Sequence, residues 1–150
     1  MIAVLQRVTE ASVKIENEVR GEIKEGIMIL LGIEQTDNEE DIEWLCRKVV
    51  NMRIFNDEKG VMNNSLLDIH GEILLISQFT LHASTKKGNR PSYIKAAKPD
   101  IAIPLYKKML SLLDMEISTK IQSGEFGGDM KVSLVNDGPV TIILDSKDKK

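Results

Sequence analysis

The sequence predicts a mixed α/β single domain: mostly antiparallel β-sheet, barrel-like and layered, with two main helices packed on one side. Three observations carry this expectation. Many short runs of β-branched and apolar residues are separated by turn signals, two segments show helical periodicity, and no linker, repeat or low-complexity stretch divides the 150 residues. A chain of this length buries a real core without staples, so residues 1–150 are expected to form one unit with a frayed charged tail at 146–150.

The elements follow in order. "IAVLQRV" (2–8) and "SVKIE" (12–16) alternate as strands, the second with Val13 and Ile15 on one face. "EVRGEIKEG" places a turn at Gly21 and a short strand segment. Gly26 to Ile33 is an apolar run suited to a buried strand. From Asp37 to about Asn51 the pattern is helical: Ile42, Leu45, Cys46 and Val49 fall at i, i+3, i+4 and i+7, with Asp37 as the expected cap and Glu40 three residues on. Cys46 lies in that stripe and reads as a packed core thiol.

"MRIF" is a short strand and "NDEKG" a turn. Glu72 to Ala83, "EILLISQFTLHA", is expected to be one long strand, and "STKKGNRPS" (84–92) a polar, basic loop. A second helix runs from Pro99 to about Asp114, with Leu105, Met109, Leu112 and Leu113 inward, Pro99 in its first turn and Pro104 as a possible kink. "ISTKIQSG" is a strand and "GEFGGD" a loop. Two final runs, Val132 to Val135 and Val140 to Leu144, flank Asp137-Gly138, a hairpin signal. Pro139 is anomalous there, because the second strand should begin donating where proline has no N–H.

Composition limits the function classes. The net charge of −3 gives no sign of broad nucleic-acid binding, so any such contact should be local. One cysteine excludes an internal disulfide, and two histidines with it make a dedicated zinc site a poor expectation. No apolar run approaches the ~18 residues of a membrane span, and "MIAVLQRVTEAS" has no basic region ahead of its apolar residues, unlike a signal peptide. A reducing cytoplasm is the expected location.

Chemistry-bearing residues concentrate in two places. On a continuous strand, Thr80 and His82 would share one face with Cα atoms roughly 6.8 Å apart, which suggests a Thr nucleophile with a His base. Against it, i and i+2 side chains point in parallel and nothing evident orients the histidine. His70, before Gly71, has no partner by spacing. Lys86, Lys87 and Arg90 form a basic cluster that is either a solvated loop or a phosphate contact. "GEFGGD" lacks the spacing and lysine of a nucleotide-binding P-loop. The second place is "NDGPVT".

Together, "SQFTL" (77–81) and "GPVT" (138–141) resemble the signature pair of the D-aminoacyl-tRNA deacylase family. "AVLQRVTEASVKI", "RIFNDEKGVMNNSLLDIHGEILLISQFTL", "KKGNRPS" and "GEFGGDMKVSLVNDGPVT" extend the resemblance over essentially the whole chain. His82 departs from the aromatic common at that position, and Gly128 from the usual Ala.

The resemblance implies a homodimeric enzyme that hydrolyses the ester between a D-amino acid or glycine and the 3′ end of tRNA, without a metal or an organic cofactor. It implies catalysis around Ser77, Gln78, Phe79 and Thr80, with the Phe79 and Thr80 N–H groups as an oxyanion hole and Gln78 near the ribose. The terminal 2′-hydroxyl would assist the attack. It also implies that Gly138 and Pro139, joined by a cis bond, enter the partner subunit's site. There "GPVT", with Val140 and Thr141, would select chirality through backbone carbonyls. Phe126 and Gly127 would line the adenine pocket, and Lys86, Lys87 and Arg90 would meet the tRNA acceptor end. The alternatives are a Thr80/His82 hydrolase of another ester and a non-enzymatic nucleic-acid-binding dimer.

Overall fold

In the computed structural model, which describes residues 1–150, the sheet is organised by one strand. β1 (Ile2–Ile15) runs unbroken where two strands were expected, and it serves three partners. Along one edge it pairs first with β3 (Gly26–Gly32) and then with β2 (Glu18–Ile23). Its other edge is taken by β8 (Lys131–Asp145) from Ile2 to Lys14. These three pairings are antiparallel. The turn before β2 falls at Glu16-Asn17, both with φ > 0, so Gly21 lies within the strand rather than at a turn.

β6 (Glu72–Ser77) continues the sheet parallel to β3, and β7 (Ile121–Ser123) pairs parallel to β6. The sheet then curls back: Gly21 of β2 lies against Gln122 and Ser123 of β7, so the barrel nearly closes. β4 (Phe55–Asn56) and β5 (Met62–Asn64) form a separate small hairpin.

The near-continuous apolar composition of β3 and β6 follows from burial on both faces. Ile27, Ile29 and Leu31, with Ile73 and Leu75, join the core beneath the helices. Met28, Leu74 and Ile76 belong to a second cluster with Val8, Ala11, Val13 and Ile23, inside the barrel.

Helix α1 (Glu39–Asn51) buries Ile42, Leu45, Cys46 and Val49, the stripe its periodicity predicts. Its cap is Asn38, not Asp37. Asn38 Oδ1 accepts from the Glu40 N–H, and Asp41 Oδ2 accepts in return from the Asn38 N–H; a cap of this kind is worth about 1 kcal/mol. Asp37 is engaged elsewhere, accepting from the Met1 ammonium at 2.7 Å and the Glu34 N–H at 2.7 Å.

Helix α2 (Pro99–Glu116) passes through Pro104 and turns Ala102, Tyr106, Met109 and Leu113 into the core; Leu105 and Leu112 pack at its margin. The tail is tied down further than expected. The Ser146 N–H donates to Met1 O, and Lys147 Nζ donates to Asp41 Oδ2 at 2.7 Å. No helix is long and apolar enough to cross a membrane.

Two local readings are corrected. The strand predicted over 72–83 stops at Ser77, and Phe79–His82 form a 3-10 turn. The hairpin predicted at Asp137-Gly138 does not form. β8 stays paired with β1 on both sides, Thr141 opposite Gln6 and Asn136 opposite Val8, so residues 137–140 are extra chain in a wide bulge. Pro139 sits in that bulge, where no ladder donor is required.

Candidate active site

Parallel strands β3 and β6 end side by side at Leu31 and Ser77, and a cavity of about 320 Å³ opens beyond their carboxyl ends. That is the place where parallel sheets offer room for a ligand, and the volume suits a small one. Ser77 lines it from the end of β6, Gln78 and Phe79 from the start of the turn that follows, and Phe126, Gly127 and Met130 from the segment after β7. Two groups far apart in sequence are thereby brought together. A larger depression of about 460 Å³ opens by Glu10, Glu22, Lys24, Glu72 and Lys120. It holds none of the motif residues, and its mixed charges converge on no recognisable chemistry. No cluster of His, Cys, Asp or Glu able to hold a metal occurs.

The 3-10 turn gives the cavity its polar edge. The Gln78 N–H donates to Leu31 O at 2.7 Å, anchoring the turn to β3, and the Leu81 N–H donates back to Gln78 O. Between them the Phe79 and Thr80 N–H groups are taken up by no backbone or side-chain acceptor. Two successive free donors suit an oxygen on which negative charge develops. Gln78 Nε2 donates to Thr80 Oγ1, tying the two motif side chains to each other.

His82 is not beside Thr80. At three residues per 3-10 turn, positions two apart diverge, and His82 is buried with its Nδ1 3.8 Å from Glu34 Oε2. The Thr–His dyad is therefore absent.

Phe126 is set by Tyr106, whose ring lies 5.7 Å away in an edge-to-face contact and whose hydroxyl donates to Leu75 O at 2.9 Å. Burial pushes the Tyr106 phenol up to about 12, so it stays a donor. Gly127 adopts φ +75° in open space. Phe79 is half exposed and meets Tyr93 edge-to-face at 5.2 Å. Lys86, Lys87 and Arg90 stand exposed on the loop that the Ser84–Ser92 bridge closes.

The other motif is elsewhere. Gly138, Pro139, Val140 and Thr141 line no part of the chain's own cavity. Gly138 and Pro139 are exposed at the bulge, their peptide bond cis, and Gly138 has φ +128°. The bulge is held from below by residues that motif reading missed. Arg7 Nε donates to Asp137 O at 3.0 Å, and Arg7 Nη1 to Ile54 O at 2.7 Å. Gln6 Oε1 accepts from both Asn136 Nδ2 and Thr141 Oγ1, and Asn136 Oδ1 accepts from the Val140 N–H at 3.0 Å, closing the bulge across its base. A signal for Arg7 existed: it continues the inward face of Ala3 and Leu5, where a charge needs a dedicated set of acceptors.

Known proteins resemble this chain over nearly its whole length. The family model described as D-Tyr-tRNA(Tyr) deacylase matches residues 4–145. The chain belongs to that family. Among its relatives, D-aminoacyl-tRNA deacylases of Christiangramia forsetii and Bacteroides fragilis are 64% and 61% identical, each over the full length of both chains. A solved structure described as c-Myc DNA Unwinding Element Binding Protein is 41% identical, with a TM-score of 0.92 over 97% of this chain and 98% of that one. A "probable eukaryotic D-amino acid tRNA deacylase" shares the fold, with a TM-score of 0.79 at 15% identity over 95% and 97% of the two chains. Both signature segments, "SQFTL" and "GPVT", lie inside the span that the deacylase family model matches.

Proposed function

We propose that the protein hydrolyses the ester of D-aminoacyl-tRNA, and that it works as a homodimer whose two sites each combine one subunit's cavity with the other's bulge. The observation that carries the reading is the separation of the two motifs. The cavity holds Ser77, Gln78 and Phe79 with Phe126 and Gly127, while Gly138 and Pro139 stand exposed on a braced bulge that lines no part of that cavity. A second copy supplies what each half lacks.

In this arrangement the terminal adenosine enters beside Phe126 and Gly127, and the ester lies along the turn. Water adds to the carbonyl carbon, helped by the ribose 2′-hydroxyl beside Gln78. The oxygen that gains charge accepts from the Phe79 and Thr80 N–H groups. The C–O bond to the ribose 3′-oxygen then breaks and that oxygen leaves with a proton. A protein nucleophile is unnecessary, because an aminoacyl ester on ribose is already activated; the contribution is positioning and charge stabilisation. Ser77 and the Thr80 hydroxyl support the turn.

The partner's Gly138 and Pro139 present backbone acceptors to the α-ammonium group, with Val140 and Thr141 anchoring that edge. Backbone packed close to the Cα leaves room for a side chain on one side only, so an L-residue clashes and a D-residue projects outward. Side-chain identity is then ignored, and glycine, as on mischarged tRNA(Ala), is accepted. Lys86, Lys87 and Arg90 meet the phosphates of the acceptor end. The whole chain acts as one domain, in the cytoplasm where its substrate is made.

The test is paired deacylation of D-Tyr-tRNA and L-Tyr-tRNA. The D-ester should be cleaved and the L-ester spared; equal rates on both break the chirality argument, and an intact D-ester sinks the activity itself.

A further inference from the structure

Phe79 and Tyr93 meet edge to face at 5.2 Å, so each ring fixes the other, yet Phe79 remains 55% exposed and Tyr93 39%. Ile94, next in the chain, is 90% exposed. Large apolar groups left open in one place mark a surface that receives something.

The backbone sets this pair between the cavity and the basic loop. Phe79 lines the cavity. Tyr93 follows Ser92, whose N–H donates to Ser84 O at 2.9 Å and whose carbonyl accepts from the Ser84 N–H at 2.8 Å, closing the loop of Lys86, Lys87 and Arg90. Beyond Tyr93 the chain turns, with the Ala96 N–H donating to Tyr93 O at 3.0 Å. It reaches the cavity wall at Ala97, whose N–H donates to Ile33 O at 2.8 Å. Tyr93 is therefore tied on both sides, and its ring is held in place before any ligand arrives.

The charge of this segment has one sign. Residues 84–98 carry Lys86, Lys87, Arg90, Lys95 and Lys98 and no carboxylate, in a chain whose net charge is −3. All five are exposed, and none takes part in an ion pair. Exposed rings beside unpaired cations suit a single-stranded nucleic acid, whose bases stack on the rings while its phosphates meet the cations. A second copy docked through the same face would instead set like charges against each other.

We propose that the Tyr93 ring is a stacking platform for the base that precedes the terminal adenosine of the tRNA 3′ end. With the ester in the cavity, the unpaired strand leaves over Phe79 and Tyr93, and its phosphates pass to the cations of residues 84–98. The inference rests on the reading of the cavity as the place of the terminal aminoacyl-adenosine. Stacking is tolerant of base identity, so the contact serves any tRNA.

The test uses Tyr93→Ala, which removes the ring, and Tyr93→Phe, which keeps it. Deacylation is measured on D-Tyr-tRNA and on D-tyrosyl-adenosine, which ends where the platform begins. Tyr93→Ala should lose about tenfold in kcat/KM on D-Tyr-tRNA, mainly through a raised KM, and the loss should shrink to about twofold or less on the short ester. Tyr93→Phe should recover most of the loss. An acceptor-stem hairpin RNA without an amino acid, with pyrrolocytosine before its terminal adenosine, reads stacking independently of hydrolysis. Its fluorescence should be quenched by wild type and Tyr93→Phe but not by Tyr93→Ala.

Equal losses on both substrates with a lowered melting temperature reduce Tyr93 to a prop for Phe79 and overturn the proposal. Wild-type kinetics in Tyr93→Ala with a weakened dimer give the face to a second copy and overturn it too. If wild type cleaves D-Tyr-tRNA, but neither quenches the probe nor slows on loss of the ring, the platform falls and the deacylase reading stands. If it leaves D-Tyr-tRNA intact yet quenches the probe through Tyr93, the deacylase reading falls and the platform stands.

Discussion

Arg7 and Asp137 join the first strand to the bulge near the other end of the chain: Arg7 Nε donates to the Asp137 carbonyl at 3.0 Å, and it lies 3.4 Å from the Asp137 carboxylate. The same guanidinium donates to Ile54 O at 2.7 Å, so one planar fork joins β1, the residue just before β4 and the bulge. Lysine has no such fork. Arg7→Ala should cost about 1–3 kcal/mol of stability by leaving buried carbonyls unpaired. It should also lower kcat/KM on D-Tyr-tRNA by at least ~10-fold, with Arg7→Lys in between. Denaturant midpoints and deacylation rates check this, and a variant with wild-type values in both would show that the clamp is ornamental.

Gly138 has no room for a side chain. A Cβ there would lie 2.8 Å from Val140 Cγ2 and 3.1 Å from Arg7 Nη2, on a backbone at φ +128°. Gly138→Ala should therefore displace the bulge at a cost of about 1–3 kcal/mol and reduce D-Tyr-tRNA cleavage by ~10-fold or more. Far-ultraviolet circular dichroism should stay that of the wild type, since the pairing of β8 with β1 continues on both sides. Full activity in this variant would mean the bulge tolerates movement and reads nothing.

Cys46 is sealed in the core beneath α1, 3% exposed. Burial pushes its thiol up to about 12, with Glu116 and Glu43 adding to the effect. Native protein at pH 8 should resist a thiol-specific disulfide reagent and keep its activity, while denatured protein reacts with one equivalent. Rapid labelling of the folded form would contradict the packed-core assignment.

Stability should hold a plateau over mid pH and decline on both sides. For Asp41, burial raises the carboxyl, but hydrogen bonds from Lys147, Ser146 and the Asn38 N–H, with the Lys147 charge, hold it below the usual range. Its contribution is complete above the ordinary carboxylate value and disappears as pH falls through the lowered one. Asp57 and Asp68, held down by neighbouring N–H groups, act in the same direction. Lys147 is raised, chiefly by its hydrogen bond to Asp41, so its contribution is complete below the ordinary lysine value and lost as pH climbs past the raised one. Melting temperature followed across pH should show both limbs, and Asp41→Asn should flatten part of each. An Asp41→Asn protein with the wild-type profile would remove the pair from the account.

Much of this was legible in the sequence, and the failures share one cause. The α1 stripe and the double-faced strands β3 and β6 follow from local periodicity, and local periodicity is what the chain prints. The end of β6 is different. "SQFTLH" alternates well enough for a strand, but past Ser77 the chain is turned by the Gln78 N–H bonding to Leu31, a partner more than forty residues away. Asp37 has the chemistry of a cap, yet the Met1 ammonium and the Glu34 N–H claim its oxygens first, and Asn38 takes its place.

The same holds at the bulge. Asp137-Gly138 carries a strong hairpin signal, but β1 is long enough to keep β8 paired on both sides, so the extra residues swell outward instead of reversing the chain. The residues of the two motifs stood out at once, because a proline in a strand and a polar cluster in an apolar one break local rules. Gln6 and Asn136, which brace the bulge, act across more than a hundred residues of chain and are silent in any window, while Arg7 shows only as a charge on the inward face of β1, with its partners out of sight.

The shared site can be tested by subunit complementation. One variant carries Gly138→Ala and loses the bulge; another carries Gln78→Ala with Thr80→Ala and loses the polar edge of the cavity. Each homodimer should be nearly inactive on D-Tyr-tRNA. After mixing under conditions that exchange subunits, a mixed dimer regains one intact site from the wild-type bulge of one subunit and the wild-type cavity of the other. Activity should then recover to roughly a quarter of the wild-type value, one working site in each of half the dimers. A mixture that exchanges subunits yet stays as inactive as its components would contradict a site built from two chains.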